Sequence, residues 1–540
     1  MSFDRVPPLT LLAIVLTGLL IVRLFALALN GTDLFFDEAQ YWHWSTTPAF
    51  GYYSKPPLIA WLIGASTAVC GDTEFCVRLP SPILHTATAL AVAWLGMRLY
   101  DARVGALAGI AYALLPGVSV SAGIISTDVP LLLAWTLALV ALTALFATKA
   151  WWPSLLLGLV IGMGLNAKYA MAWFAMCLAI FLAVTPERRS VLRDRRLWAG
   201  LALGLALLAP NLIWNASNGF ATFAHTADNA KWGAAASGAG SGGGVTGLTF
   251  GNPGKAAEFF IAQFGVFGPF YFAGLLVIAW RATRTRLPDD QRMAEADRLL
   301  LAFSLPLIIV ITLQAFVSRA HANWAAPAYV AATVLVIATL VRDVSWGWLR
   351  GSYALHAVVL AILIGATALA GRIALPGGAD PFARTLGWRA LADATRAELA
   401  AAKAAGRPYR AIVTDDRSLS ATLLYYLRDE PTPVLAWRCG PRPMDHFEMT
   451  RAYAKAAGEP VLLVSLRAPP KATPAAEPGR TDEPTRATTA AKTPAKNPAK
   501  DDRAACPAFA VSQTLSQRDL PAGTSTRRVT FVAVSGFRGE

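Results

Sequence analysis

The stretch Phe35-Phe36-Asp37-Glu38-Ala39-Gln40-Tyr41-Trp42, followed by Gly51-Tyr52-Tyr53-Ser54-Lys55-Pro56-Pro57, sets two adjacent carboxylates and a lysine among aromatics. It comes directly after the first long apolar run of the chain. Charges so close to a bilayer cost free energy unless they face water or a ligand. A polar site at a membrane surface is therefore the first expectation, and the flanking sequence decides what surrounds it.

Working outward, apolar runs of near-bilayer length recur through the first two thirds of the chain. Of the 540 residues, 55% are hydrophobic and only 15% are charged, and the mean hydropathy is +0.45. That balance excludes a soluble globular protein and predicts a multi-pass α-helical membrane protein. Eleven spans are expected, at about 9–29, 82–99, 104–122, 129–147, 153–167, 170–185, 198–215, 257–280, 299–317, 323–341 and 352–371. The short run at 153–167 could form a helical hairpin with its successor. Pro57 to Val69 is apolar but too short to cross easily, so it is read as interfacial or re-entrant. The first apolar run is long and lacks a small-residue cleavage site, so no cleaved leader is expected.

The basic residues predict an orientation. With a cytoplasmic N-terminus, inner loops hold Arg98, Arg103, Lys149, Arg188, Arg189, Arg193, Arg195, Arg196, Arg281, Arg284, Arg286, Arg292, Arg298, Arg342 and Arg350. Outer loops hold only Lys55, Arg78, Lys168, Lys231, Lys255 and Arg319. Asp37 and Lys55 then lie beyond the bacterial inner membrane, and an odd number of spans sends the C-terminus to the same periplasmic side. The net charge of +14 is accordingly a topology signal. Nucleic acid is excluded as a partner, because the basic residues are scattered over short loops and not gathered on one face.

The expected organisation is a membrane domain over 1–371 and an extracytoplasmic α/β domain over 372–540. In the latter, 411–414, 461–464 and 528–534 read as strands and Arg417 to Arg428 as a helix. An Ala/Pro/Lys/Thr-rich insert at about 468–504 has too few large apolar residues to make a core and is expected to be disordered. The centre of the long loop between Asn215 and Glu258, Gly233 to Gly251, is expected to be mobile. Cys70 and Cys76 are read as free thiols, and pairing of Cys439 with Cys506 stays open. No Cys/His spacing resembles a zinc site.

The candidate site residues cluster on the predicted outer face. Asp37 suits a general base. Glu38 is a second catalytic candidate, or else an acid at the start of a short helix. Asp128, in Ser126-Thr127-Asp128-Val129-Pro130, is either an N-cap or a second acid converging on the same cavity. Lys55, Lys168 and Arg319 are the cations suited to a phosphate. Tyr53, Tyr169, His225 and His321 are candidates for holding a substrate. Arg23, inside the first run, snorkels or lines the cavity.

Taken in order, Asp37-Glu38, Tyr53-Ser54-Lys55-Pro56-Pro57, Asp128-Val129-Pro130, Asn166-Ala167-Lys168-Tyr169, Pro210-Asn211-Leu212-Ile213-Trp214-Asn215 and Asn323-Trp324-Ala325-Ala326-Pro327 resemble one family. It is the bacterial branch of the dolichyl-phosphate-mannose protein mannosyltransferases, grouped with the aminoarabinose and galacturonic-acid transferases of lipid A. The resemblance covers about residues 8–345. It implies a C-type glycosyltransferase fold and an inverting enzyme that moves a sugar from a polyprenyl-phosphate donor to a lipid or glycan acceptor, lipid A or lipopolysaccharide core first among them. Asp37 matches the family's first-loop acid, Asp128 the second acidic motif and Lys55 the lysine near the donor phosphate. The aminoarabinose transferases have Glu before that lysine, where this chain has Ser54, which counts against aminoarabinose and against a metal held there. The resemblance leaves room for a divalent metal and requires none. Protein O-mannosyl transfer is the alternative within the class. A transporter or flippase of a lipid-linked saccharide is the alternative outside it, though no repeated halves are visible.

Overall fold

A computed structural model describes residues 6–230, 251–284, 291–376, 380–467 and 509–539. The chain divides into two compact units, Met1–Ile373 and Ala374–Glu540. The centre of the Gly-rich loop, the insert at about 468–504 and Cys506 fall outside the described residues.

Among the described residues the regular elements of the first unit are all helices. Six helices among the described residues have the length and apolarity to cross a bilayer: Pro8–Ala28, Glu74–Leu99, Asp128–Ala147, Arg195–Ser217, Ala294–Val317 and Trp346–Ala368. The run expected as one span at 257–280 is instead two helices, Pro253–Val266 and Pro269–Arg284, bent by 116°. Gly268, with φ +92°, turns the chain, and Pro269 opens the next helix where its missing N–H costs nothing. The run expected over 104–122 is likewise split, into Ala102–Leu114 and Pro116–Ser121, with Pro116 starting the second piece. Shorter apolar helices complete the unit: Leu58–Cys70, Ala102–Leu114, Trp152–Ala167, Tyr169–Val184 and Ala328–Arg342.

Burial separates inner from outer helices. In Asp128–Ala147, 83% of the apolar stretch is buried, whereas Pro8–Ala28 and Trp346–Ala368 bury 22% and 17% of theirs. The outer helices present Ile14, Ile21, Phe25, Val358 and Ile362 outward. Exposed apolar faces of this kind are satisfied by hydrocarbon, and the helices keep their backbone bonds internal, as a bilayer requires. Small residues let neighbours approach. Gly158 and Gly162 of Trp152–Ala167 face Gly200 and Gly204 of Arg195–Ser217, and a Cβ on Gly162 would lie 3.0 Å from the Gly204 carbonyl oxygen. Both pairs have the Gly-x-x-x-Gly spacing, which allows close backbone contact between helices in lipid.

Two expectations are corrected here. Cys70 and Cys76 form a disulfide, because the tight turn between Leu58–Cys70 and Glu74–Arg78 brings their Cα atoms to 5.9 Å. Arg23 neither snorkels nor lines the site. It is 4% exposed, and its guanidinium donates to the Ala113 carbonyl inside the bundle.

The second unit carries a five-stranded sheet in the order β2-β1-β3-β5-β4. Its strands are β1 (Ile412–Thr414), β2 (Val434–Ala436), β3 (Val461–Ser465), β4 (Phe509–Ala522) and β5 (Ser525–Phe537). The first three are parallel, with Val413 in register with Leu435 and with Leu463. β5 runs antiparallel to β3 and to β4. Val413, Val461, Leu463, Val532 and Val534 form the core on one face. The long edge strand β4 has no counterpart in the sequence expectation, because most of its residues are exposed and its polar side chains lack alternation. Cys439 is disulfide-bonded.

Candidate active site

The short helix Phe36–Ser45 follows the first long helix and carries Asp37 and Glu38 in its first turn. Glu38 is 1% exposed and fully engaged. Its Oε2 accepts from the Phe35 N–H at 2.9 Å and from Arg78 Nη2 at 2.8 Å. Its Oε1 accepts from Arg78 Nε at 2.9 Å and from the Ile125 N–H at 2.9 Å. Arg78, itself 1% exposed, also donates to the Thr32 and Asp33 carbonyls. Four hydrogen bonds make Glu38 a latch at the start of its helix, the second of the two readings the sequence offers for it. The latch joins the loop before Asp37 to the segment just before Asp128. Asp37 is half-buried in the same helical turn.

Asp128 opens the helix Asp128–Ala147. Lys168 Nζ donates to its Oδ1 at 2.7 Å, and Asn323 Nδ2 donates to its Oδ2 at 2.7 Å. Lys168 stands at the end of Trp152–Ala167 in extended conformation, and Asn323 lies in the single turn Ala322–Ala325. Three connections far apart in the chain therefore meet at one carboxylate. The Lys168 side chain is 20% exposed and that of Asp128 9%, so the pair is sheltered but reachable.

Beside this pair, Tyr169 turns the other way. Its hydroxyl donates to Asn211 Oδ1 at 2.7 Å and accepts from Asn215 Nδ2 at 3.2 Å, and its ring stacks on Phe223 at 4.8 Å. Asn211 Nδ2 donates to the Phe50 carbonyl, and Thr222 Oγ1 to the Tyr52 carbonyl, both at 2.7 Å. The Asp37 loop is thus pinned from a second side. Burial pushes the Tyr52 hydroxyl up to about 12, so it stays protonated and donates to the Trp44 carbonyl at 2.9 Å. Tyr53 is buried and sits edge-on to His225 at 5.4 Å. Lys55 is half-buried, and its carbonyl accepts from the Tyr52 N–H at 3.1 Å, closing the turn that aims it. Arg319 and His321 are exposed, the latter edge-on to Trp324 at 5.4 Å.

Gly51 has no room for a side chain. A Cβ there would lie 2.7 Å from Trp214 Cδ2 and 2.9 Å from Asn211 Nδ2. Gly51→Ala is expected to cost about 1–3 kcal/mol through overpacking, read as a lowered midpoint of thermal unfolding. An unchanged midpoint would mean the loop is not clamped as described.

Sequence reading missed Arg78 as anything but a loop charge, and it left Asn323 out of the site. Nothing in the spacing of Arg78 points to Glu38. Asn323 had a signal, since it belongs to a motif already singled out. Among the described residues no three His, Cys, Asp or Glu side chains gather to hold a metal. With Asp128 already taken by Lys168 and Asn323, these residues do not fit a divalent ion.

Residues 54–214 match the family model described as dolichyl-phosphate-mannose-protein mannosyltransferase. The chain is 36% identical over 439 residues to the lipid A galacturonosyltransferase RgtD of Rhizobium johnstonii, covering 80% of this chain and 87% of that protein. The chain belongs to this glycosyltransferase family. It is also 29% identical over 184 residues to the lipopolysaccharide core galacturonosyltransferase RgtA of the same organism, covering 34% of this chain and 37% of that protein. The crystal structure of ArnT from Cupriavidus metallidurans in the apo state superposes with a TM-score of 0.58 at 16% identity, covering 84% of this chain and 92% of that one. ArnT bound to undecaprenyl phosphate gives 0.58 at 15% identity, with 96% and 97% covered. At that identity the likeness establishes the fold, which is the C-type glycosyltransferase fold expected from the motifs. The protein is a membrane glycosyltransferase.

Proposed function

We propose that this enzyme transfers a sugar, with inversion, from a polyprenyl-phosphate donor to lipid A or the lipopolysaccharide core at the periplasmic face of the inner membrane. The observation that carries the reading is the meeting of Asp128, Lys168 and Asn323, three connections on one end of the bundle. Attack at the anomeric carbon opposite a departing phosphate needs positive charge near the leaving oxygens. Lys168 supplies it, held at a fixed place by Asp128, and Lys55 is the second cation for that phosphate. If the acceptor is a hydroxyl, a group must also take its proton, and Asp37 has that role. Galacturonic acid is the first sugar to test, since RgtD is named for it and Ser54 departs from the aminoarabinose pattern.

The orientation rests on charge. Arg188, Arg298, Arg342 and Arg281, tied to Glu295, Glu187, Asp297 and Asp343, belong to the loops and helix ends read as cytoplasmic. The C-terminal unit then lies in the periplasm. Mass spectrometry of envelope lipids from cells with and without the gene tests the function directly. A hexuronic acid missing from lipid A or core in the deletion supports the reading; identical envelope lipids, with altered protein glycosylation, would replace it with protein O-glycosyl transfer.

A further inference from the structure

The disulfide loop that precedes Arg78 has a second grip on the helix of Asp37. Cys70 ends the helix Leu58–Cys70 and Cys76 lies inside Glu74–Arg78, so their bond encloses only Gly71 to Phe75. Two residues beyond each cysteine stands a group that holds the helix Phe36–Ser45. Asp72 Oδ1 accepts from Trp42 Nε1 at 2.6 Å, and Arg78 donates to both carboxylate oxygens of Glu38.

The spacing of the two grips matches the helix they hold. Glu38 and Trp42 are four positions apart, one helical turn, a rise of about 6 Å. The disulfide sets the Cα atoms of its cysteines 5.9 Å apart. Asp37 directly precedes Glu38 on the gripped turn. The ring is itself anchored on its inner side. Cys76 is 3% exposed, its N–H donates to Thr73 Oγ1 at 3.2 Å, and its carbonyl accepts from Ser66 Oγ at 2.5 Å. Cys70 and Asp72 are exposed. Holding an exposed side chain in one place costs conformational entropy, and a short covalent ring removes much of that freedom beforehand.

We propose that the Cys70–Cys76 disulfide and Asp72 form a positioning clamp for Asp37. The ring holds Asp72 and Arg78 at a fixed separation, and together they fix the axial and rotational setting of the helix that presents the carboxylate. A misplacement of about 1 Å at a reacting group can cost about 10²-fold in rate, so a clamp of this kind acts on turnover more than on binding. The inference rests on Asp37 as the base, and its structural half is measurable without catalysis.

The test uses the full chain in reconstituted membranes with a polyprenyl-phosphate sugar. Transfer kinetics are measured together with hydrogen–deuterium exchange of Phe36–Ser45 by mass spectrometry. Asp72→Ala, which leaves the disulfide in place, and the double variant Cys70→Ser with Cys76→Ser should each raise exchange in that helix. Each should lower kcat by about 10–10²-fold with KM little changed. Asp72→Asn keeps an oxygen for Trp42 and should recover most of the rate. Dithiothreitol should slow the wild type and leave the double serine variant as it was, which separates this disulfide from the one at Cys439. With Asp37→Asn itself slow, adding Asp72→Ala should lower kcat little further, because the clamp acts through Asp37. Wild-type exchange or wild-type kcat in Asp72→Ala and in the double serine variant would overturn the clamp. So would an equal further loss when Asp72→Ala is added to a slow Asp37→Asn. Wild-type transfer by Asp37→Asn would remove the base alone, since raised exchange and lowered kcat in Asp72→Ala would still support a clamp on that helix.

Discussion

Asp37→Asn is expected to lower the rate of sugar transfer by about 10²–10⁴-fold, the usual contribution of a positioned general base. Expression, membrane insertion and thermal midpoint should stay at wild-type values. The expectation follows from how the adjacent acids divide their work. Glu38 spends both oxygens on Arg78, Phe35 and Ile125, so it holds the loop and has no lone pair positioned for an acceptor. Asp37 is one residue earlier on the same turn, half-buried, and asparagine keeps its shape while removing its basicity. The measurement is transfer in reconstituted membranes with a polyprenyl-phosphate sugar. A base role lowers kcat with KM little changed. Transfer at the wild-type rate would remove Asp37 as the base and favour an acceptor that is already ionised.

The second large effect is on stability. Arg78→Met strands the Glu38 carboxylate among buried atoms, and removing one partner of a buried ion pair costs about 3–5 kcal/mol. A clear fall in the midpoint of thermal unfolding is expected, together with loss of transfer, because the latch aligns the Asp37 loop with the segment leading to Asp128. The double variant Glu38→Gln with Arg78→Met no longer buries an unpaired charge and should recover part of the lost stability. Contacting residues are non-additive in this way, and the cycle isolates their coupling. Additive losses, or an unchanged midpoint in Arg78→Met, would mean that the pair does not hold the site together.

The loop chemistry shows where sequence reading reached and where it stopped. Asp128, Lys168 and Asn323 each belong to a motif visible in the chain, because carboxylate, amine and amide at helix ends are conspicuous in an apolar sequence. Their convergence was not visible. Asn323 is 195 positions from Asp128, and only the packing of Trp152–Ala167 and Ala328–Arg342 around the buried Asp128–Ala147 brings the three together. In the sequence Arg78 is one of a few outer charges, since nothing local distinguishes an arginine bound to solvent from one bound to a buried glutamate 40 residues away. The break at Gly268-Pro269 was written in the residues but lay inside an apolar run, and hydropathy averages over such a pair.

Sequence alone determined that this chain lives in a bilayer, which end of its bundle collects mixed charge, and which transferase family its motifs match. Those properties are sums over neighbouring residues: apolar length, loop charge and local spacing. Tertiary structure decided that Glu38 is fastened to Arg78, that Cys70 and Cys76 are joined, and that Lys168 answers to Asp128. Each of these depends on which side chain is buried against which, and burial is a property of the packed bundle that no window along the chain contains.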